Sequence, residues 1–186
     1  TTSTSLLTLT GTVAELNTAY GSSGLSIEGD EAITISDTTV DAEALNVLNN
    51  YTSGVINAGT LTKLTGTLVD VNVAFAADAP ASGATISGLG DQDVELTDTN
   101  ILAADLDTLN GYTTGTITAD SVTALTGTAS VLNTLLTAGN NASVANQFSA
   151  NSFASLATAT VSDSTMSIAH LNGAIAQANT ATGKST

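Results

Sequence analysis

Apolar residues recur along this chain at two spacings. After Thr12, the residues Val13, Leu16 and Tyr20 fall three or four apart, which puts them on one face of a helix. Leu68, Val71 and Phe75 repeat that spacing after Thr67, and Ala129, Leu132 and Leu136 repeat it after Thr128. Between these stretches, Val55-Ile56, residues 61–64, Ile117 and residues 122–125 are β-branched and alternating, as in strands. Thr12, Thr67 and Thr128 each follow a glycine at the place of a helix N-cap, and Asp41 is placed to cap a second class of helix. Gly54 and Gly115 are expected to end that second class as C-cap glycines. The unit this pattern predicts is strand, turn, short helix. Helices of two to three turns are marginal alone, so they must be held by stacking on neighbours.

The pattern repeats. Leu9-Thr10-Gly11-Thr12 recurs as Leu64-Thr65-Gly66-Thr67 and as Leu125-Thr126-Gly127-Thr128, at offsets of 55 and 61 residues. Ile35-Ser36-Asp37-Thr38-Thr39 matches Leu96-Thr97-Asp98-Thr99-Asn100 and Val161-Ser162-Asp163-Ser164-Thr165. A Leu-Asn-like pair appears six times, as Leu16-Asn17, Leu45-Asn46, Val71-Asn72, Leu106-Asp107, Leu132-Asn133 and Leu171-Asn172. The repeats divide at about 1–58, 59–119 and 120–186, within a single array. Length varies mainly at residues 77–82, which contain the lone Pro80, and at 140–151. Insertions confined to one class of connection mean loops on one face of a stack. Tyr20 matches Phe75 and Tyr51 matches Tyr112, which reads as stacking in the core.

The fold expected is an α/β repeat solenoid of strand–short helix units with parallel strands stacked along one side. The alternative is a right-handed β-solenoid or β-helix with little helix. Composition suits either. Apolar residues make up 42% of the chain but aromatics only 3%, so Ala, Val, Leu and Ile must pack thin, regular layers.

Charge narrows the function classes. The chain carries 17 acidic residues against two lysines, Lys63 and Lys184, for a net charge of -15. That balance disfavours nucleic acid and anionic lipid, both of which need Lys and Arg. Sixteen of the acids lie at or before Asp120, so the two ends differ electrostatically. There is no cysteine, hence no disulfide or thiolate chemistry, and no apolar run of about 20 residues to span a membrane. The chain opens at Thr1 without a signal-peptide pattern, which suggests processing or excision from a longer chain.

The segment from Leu9 to Thr18, Leu-Thr-Gly-Thr-x-x-x-Leu-Asn-Thr, and the segment Ile33-Thr34-Ile35-Ser36-Asp37-Thr38-Thr39 resemble tandem repeats of large, acidic, Thr/Ala/Gly-rich cell-surface proteins of marine bacteria, cyanobacteria especially. The resemblance covers nearly the whole chain. It implies secretion, a calcium-rich setting and a place in a surface layer, filament or adhesin stalk, with no catalytic residues. After Gly139 the pattern is diluted, and that region reads as a cap, a junction or an interaction segment.

Candidate chemistry is thin. His170 is the lone histidine, and no Gly-x-Ser-x-Gly elbow accompanies it, so it reads as structural or solvated. Asp91 and Asp93 form an acidic turn, and without tryptophan there is no sugar platform beside it. Calcium is the one cofactor to weigh. Asp30 and Asp91 occupy equivalent turns, in Glu28-Gly29-Asp30-Glu31 and Gly90-Asp91-Gln92-Asp93, and each could supply a carboxylate to a weak calcium site. Asp37, Asp98 and Asp163 persist where Asp30 has no counterpart, which suits a turn or cap role better than a ligand role. The Asn of each Leu-Asn pair could form a ladder between stacked units or point to solvent. Asn50-Tyr51-Thr52 and Asn141-Ala142-Ser143 are glycosylation sequons.

The function these readings favour is a structural module of an extracellular filament, surface layer or stalk that associates with copies of itself or with neighbouring repeats. The alternative is an adhesin or phage-fibre module binding glycans through loops at 77–90 and 140–153.

Overall fold

The computed structural model describes residues 8–23, 28–78, 83, 85–139, 148–149 and 152–164. The protein is α/β, with parallel sheets and, among these residues, five helices. The reading with little helix is thereby set aside.

The elements run in chain order as β1 (Thr8–Gly11), α1 (Val13–Tyr20), β2 (Ala32–Ile35), β3 (Thr39–Asp41), α2 (Ala42–Tyr51), β4 (Ile56–Asn57) and β5 (Lys63–Gly66). They continue as α3 (Leu68–Ala77), β6 (Ile86–Ser87), β7 (Asp93–Leu96), β8 (Asn100–Leu102), α4 (Ala103–Tyr112), β9 (Ile117–Thr118), β10 (Ala124–Gly127), α5 (Ala129–Gly139) and β11 (Thr158–Val161). The strands form three sheets, ordered β1-β2-β4-β6, β3-β5-β7-β9 and β8-β10-β11, and every pairing is parallel. Within each sheet the strands follow one another in chain order. The helices pack as successive neighbours, α1 on α2, α2 on α3, α3 on α4 and α4 on α5.

Register explains why the sequence repeats. Leu9 lies beside Ile33, Ile33 beside Ile56 and Ile56 beside Ile86. In the second sheet Val40, Leu64, Val94 and Ile117 form a column, which a bridge from Ile117 extends to Phe148. In the third, Ile101, Leu125 and Ala159 do the same. Nearly all of these side chains are buried. Each buried Leu, Ile or Val contributes roughly 1.5–3 kcal/mol, so columns of like residues supply the core that the scarce aromatics cannot. Leu16, Val71 and Leu132, the fourth residues of α1, α3 and α5, are all buried in equivalent places.

The expected caps form. Thr12 accepts from the Glu15 backbone N–H in a reciprocal capping box, and Thr67 accepts from that of Asp70. Thr128 accepts more loosely from Val131, at 3.4 Å. Asp41 accepts from Glu43 and Ala44 at the start of α2. Its counterpart at α4 is Leu102, which makes no side-chain cap bond and is 55% exposed. Leu102→Asp is therefore expected to raise stability by about 1 kcal/mol, read as a rise in the thermal midpoint.

Gly54 and Gly115 do not act as C-caps. The helices end at Thr52 and Thr113, and neither glycine has a positive φ. They are glycines because the backbone of the preceding unit passes over them. A Cβ on Gly54 would lie 2.2 Å from the Glu31 carbonyl oxygen, and one on Gly115 would lie 2.3 Å from that of Gln92.

Candidate assembly surfaces

Four sets of polar contacts recur from unit to unit and fix where the exposed faces lie. The first is made by Asp37, Asp98 and Asp163, whose roles the sequence left as turn or cap. Each sits just after a strand of one unit and accepts from the first backbone N–H of a helix in an earlier unit. Val13 donates to Asp37 at 2.8 Å, Leu68 to Asp98 at 2.6 Å and Ala129 to Asp163 at 2.7 Å. The first N–H groups of a helix have no partner within it, and the helix dipole favours an anion there. A single carboxylate answers both needs and ties consecutive units together.

The second set is the Asn ladder. Asn17 donates to the Ala44 carbonyl at 3.0 Å, Asn46 to that of Asp70 at 2.9 Å and Asn72 to that of Asp105 at 3.0 Å. In every case the acceptor is the third residue of the next helix. The solvent reading of these residues gives way to the ladder reading at these three positions. The ladder has a break. Asp107 stands at the equivalent of Asn46, is exposed, and as a carboxylate has no proton to donate to α5. The Oδ1 atoms of Asn17, Asn46 and Asn72 are buried without a hydrogen-bond partner. The ladder therefore specifies register more than it adds net stability.

The third set organises the turns that carry the calcium candidates. Glu31 is buried and accepts from the Glu28 and Gly29 N–H groups at 2.8 and 2.9 Å and from the Tyr20 hydroxyl at 3.1 Å. Its counterpart Gln92 accepts from Gly90 and Asp91 and donates to the Leu61 and Gly88 carbonyls and to Asp91 Oδ1. Burial works against ionising Glu31, but the backbone N–H groups and the Tyr20 hydroxyl outweigh it and hold its carboxyl below the usual range. Burial, and then the bond to Glu31, raise the Tyr20 hydroxyl. A carboxyl lowered in the folded state stabilises the protein at neutral pH. That contribution is lost as pH falls through the folded value. Glu31→Gln should keep the turn, as Gln92 does, and should flatten the acid side of the stability curve. The check is the thermal midpoint of both proteins between about pH 7 and about pH 3.

Asp30 and Asp91 are both exposed, in equivalent turns of different units. Glu31, next to Asp30 in the chain, already accepts three bonds, and Gln92 replaces it beside Asp91. Calcium takes six to eight oxygen ligands. No group of three or more His, Cys, Asp or Glu side chains placed to hold a metal occurs among the described residues. An ion at either turn would have to draw its remaining ligands from backbone carbonyls and water, so calcium is expected to raise the thermal midpoint little over chelator in differential scanning calorimetry.

The fourth set is aromatic. Tyr20 stacks on Tyr51 with ring centres 5.5 Å apart, and Phe75 on Tyr112 at 6.2 Å. The expected equivalence holds in that the second pair copies the first, but the rings that stack are not the matched ones, and their place is the margin of the core: Tyr51 and Tyr112 are 42% and 37% exposed. Beside these pairs, Thr52 donates to the Glu31 carbonyl and accepts from Gly54, and Thr113 does the same with Gln92 and Gly115. Both threonines are buried, and sequence periodicity gave no sign of their role.

The surface this framework leaves open is the outer side of α1. Ala14, Glu15, Thr18, Ala19 and Ser22 line a groove of about 460 Å³ there. At the repeat offset of 55, Glu15, Ala19 and Ser22 correspond to Asp70, Ala74 and Ala77 of α3, the helix whose Asp70 carbonyl receives Asn46 from α2. Ala74 is fully buried and Asp70 half-buried, whereas Ala19 is half-buried and Glu15 exposed. The side of this surface that carries Glu15 and Ala19 is thus covered in the second repeat and uncovered in the first, among the described residues, whereas Val69 and Val73, which correspond to Ala14 and Thr18, are 66% and 51% exposed.

His170, Asn141 and the end of the third repeat lie outside the described residues, as do parts of the loops at 77–90 and 140–153. Asn50 is exposed in the last turn of α2. Lys63 pairs with Glu95 on the surface. No helix among the described residues is long and apolar enough to cross a membrane. Comparison with family models, curated proteins and solved structures finds no match to this chain.

Proposed function

We propose that the strand–helix units wind as an α/β solenoid and that the chain is a structural module of an extracellular filament, surface layer or stalk, joined end to end with copies of itself. The observation that carries this reading is the groove on α1. On α3 the side equivalent to Glu15 and Ala19 is buried at Ala74 and receives Asn46 from α2, so the uncovered copy on α1 stands as an unfilled position in a series. Three features support it further. The recurring side-chain bonds join neighbouring units. β1 is an edge strand with one side unpaired among the described residues. A net charge of -15 keeps such a chain soluble without directing it to nucleic acid or anionic lipid. Head-to-tail contact of unlike ends builds open filaments rather than closed oligomers. Negative-stain microscopy of the purified protein is the test. Ordered polymers of even width are expected, and a field of single particles at every concentration would exclude the reading.

A further inference from the structure

We infer that the groove on α1 is filled by the segment of a second copy that carries Leu171-Asn172, with the Asn172 amide donating to the Glu15 backbone carbonyl. This inference rests on the end-to-end association proposed above and names the contact.

The ladder inside the chain supplies the rule. Each donor is the Asn of a Leu-Asn pair, and each acceptor is the third carbonyl of the following helix. Applied to α1, the acceptor is Glu15, the third residue of that helix and one of the residues lining the groove. No Asn amide reaches it among the described residues. The occupant must therefore present an Asn of the same kind.

The alternation of units selects which one. Helices alternate between those capped by a threonine after Leu-Thr-Gly, namely α1, α3 and α5, and those that follow β3 or β8, namely α2 and α4. A helix of the first kind is covered by a helix of the second kind: α2, through Asn46, covers α3. The groove on α1 accordingly calls for an Asn equivalent to Asn46. Within the chain that position is held by Asn46 itself, which is engaged, by Asp107, which cannot donate, and by Leu171-Asn172, the sixth and last pair. Six pairs make an even number, so the last is of the kind that the first helix requires. An odd number would have set like against like. Joining Asn172 of one copy to Glu15 of the next continues the alternation without a break.

The groove fits such an occupant on two further grounds. Ala19 lines it, and Ala74, the corresponding residue of α3, is fully buried. Small residues let helix backbones approach closely, as the ladder bond requires. Charge permits the contact as well. Residues 1–120 hold 16 of the 17 acids, whereas the last 66 residues hold only Asp163 and include Lys184. An acid-poor tail meets an acidic head with less repulsion than two heads would.

Sedimentation velocity of the full chain over a concentration series tests the contact. The wild type is expected to grow into larger species as concentration rises. Ala19→Arg, which fills the groove, and Asn172→Ala, which removes the donor, should each weaken association at least tenfold. Both should keep the far-ultraviolet dichroism of the wild type. Ser22→Arg, on the exposed rim, serves as a second groove variant should Ala19→Arg fold poorly. The decisive arm mixes the two kinds of variant. Each lacks the end the other retains, so equal amounts should form one-to-one dimers and go no further. If the wild type polymerises and the variants polymerise as it does, this contact is wrong while the filament reading stands. If the mixture stays monomeric, the pairing of these two surfaces is wrong. A wild type that remains monomeric throughout overturns both.

Discussion

Gly115→Ala is expected to cost about 3 kcal/mol or more of folding stability, while Gly111→Ala, four residues earlier, should gain about 0.5–1 kcal/mol. The substitution is the same and the sign differs because of what lies overhead. At Gly115 the new Cβ meets the Gln92 carbonyl oxygen at 2.3 Å, its carbon at 2.4 Å and the Asp93 nitrogen at 2.7 Å. These are backbone atoms, which cannot swing aside as a side-chain tip does. To relieve the clash, two successive units would have to separate. That would break the bond from Thr113 to the Gln92 carbonyl and the bond from Thr114 to the Gly90 carbonyl. At Gly111, in the last turn of α4, nothing lies within 4 Å of the new Cβ, and alanine simply lowers the entropy lost on forming the helix. Gly54→Ala should behave like Gly115→Ala, since its Cβ would meet the Glu31 carbonyl at 2.2 Å. Urea unfolding measures all three. The midpoints should move in opposite directions at a similar slope. Equal shifts for Gly111→Ala and Gly115→Ala would show that the units do not approach as closely as described. A loss of 3 kcal/mol is a large share of the 5–15 kcal/mol that typically holds a domain together.

Asp98→Ala should destabilise by about 2 kcal/mol, although Asp98 lies on a connection between two strands. The loss arises in a different unit. Leu68 donates its backbone N–H to this carboxylate at 2.6 Å, and Leu68 is the first residue of α3, buried at the helix start. Without Asp98 that N–H is left part-buried with no acceptor, and the positive end of the helix loses its anion. Asp98→Asn keeps an acceptor oxygen and loses only the charge, so it should cost less than half as much. Asp37→Ala and Asp163→Ala act on α1 and α5 in the same way. The three sites share no partner, so the triple variant should approach the sum of the singles. Hydrogen exchange can locate the effect. Asp98→Ala should speed exchange at the start of α3 more than in the connection that holds Asp98 itself. The reverse order would mean that the aspartate matters only to its own turn.

Much of the fold was legible in the chain alone, because its signals are local. Thr12, Thr67 and Asp41 cap helices over three residues, and the buried faces of α1, α3 and α5 follow from a spacing of three or four. Repetition extended the reach of these signals. A string that recurs at a fixed offset occupies a recurring environment, which is how Tyr20 could be matched with Phe75 and Leu16 with Val71 before any contact was known.

What the chain could not show was which unit lies against which. Gly54 read as a helix terminator because glycine ends helices locally, yet its reason is a carbonyl 23 residues earlier in sequence (54 − 31). Asp37 read as a turn or cap residue, but the pattern did not say which helix it caps, and that helix starts 24 residues before it. Asp30 and Asp91 were found as candidate ligands because they are acidic and equivalent, but a site needs several oxygens converging on one point, and convergence is not written in a repeat pattern. The Asn ladder stood open between two readings until α1, α2, α3 and α4 were set side by side. The amino-acid sequence by itself determined the elements, their caps, their buried faces and the fact of repetition, all of which depend on interactions a few residues long. Only the tertiary structure decided the parallel register, the glycines under crossing backbone and the bonds that cross from unit to unit. Those contacts join atoms more than 20 residues apart, and nothing in the local pattern encodes which distant backbone will pass overhead.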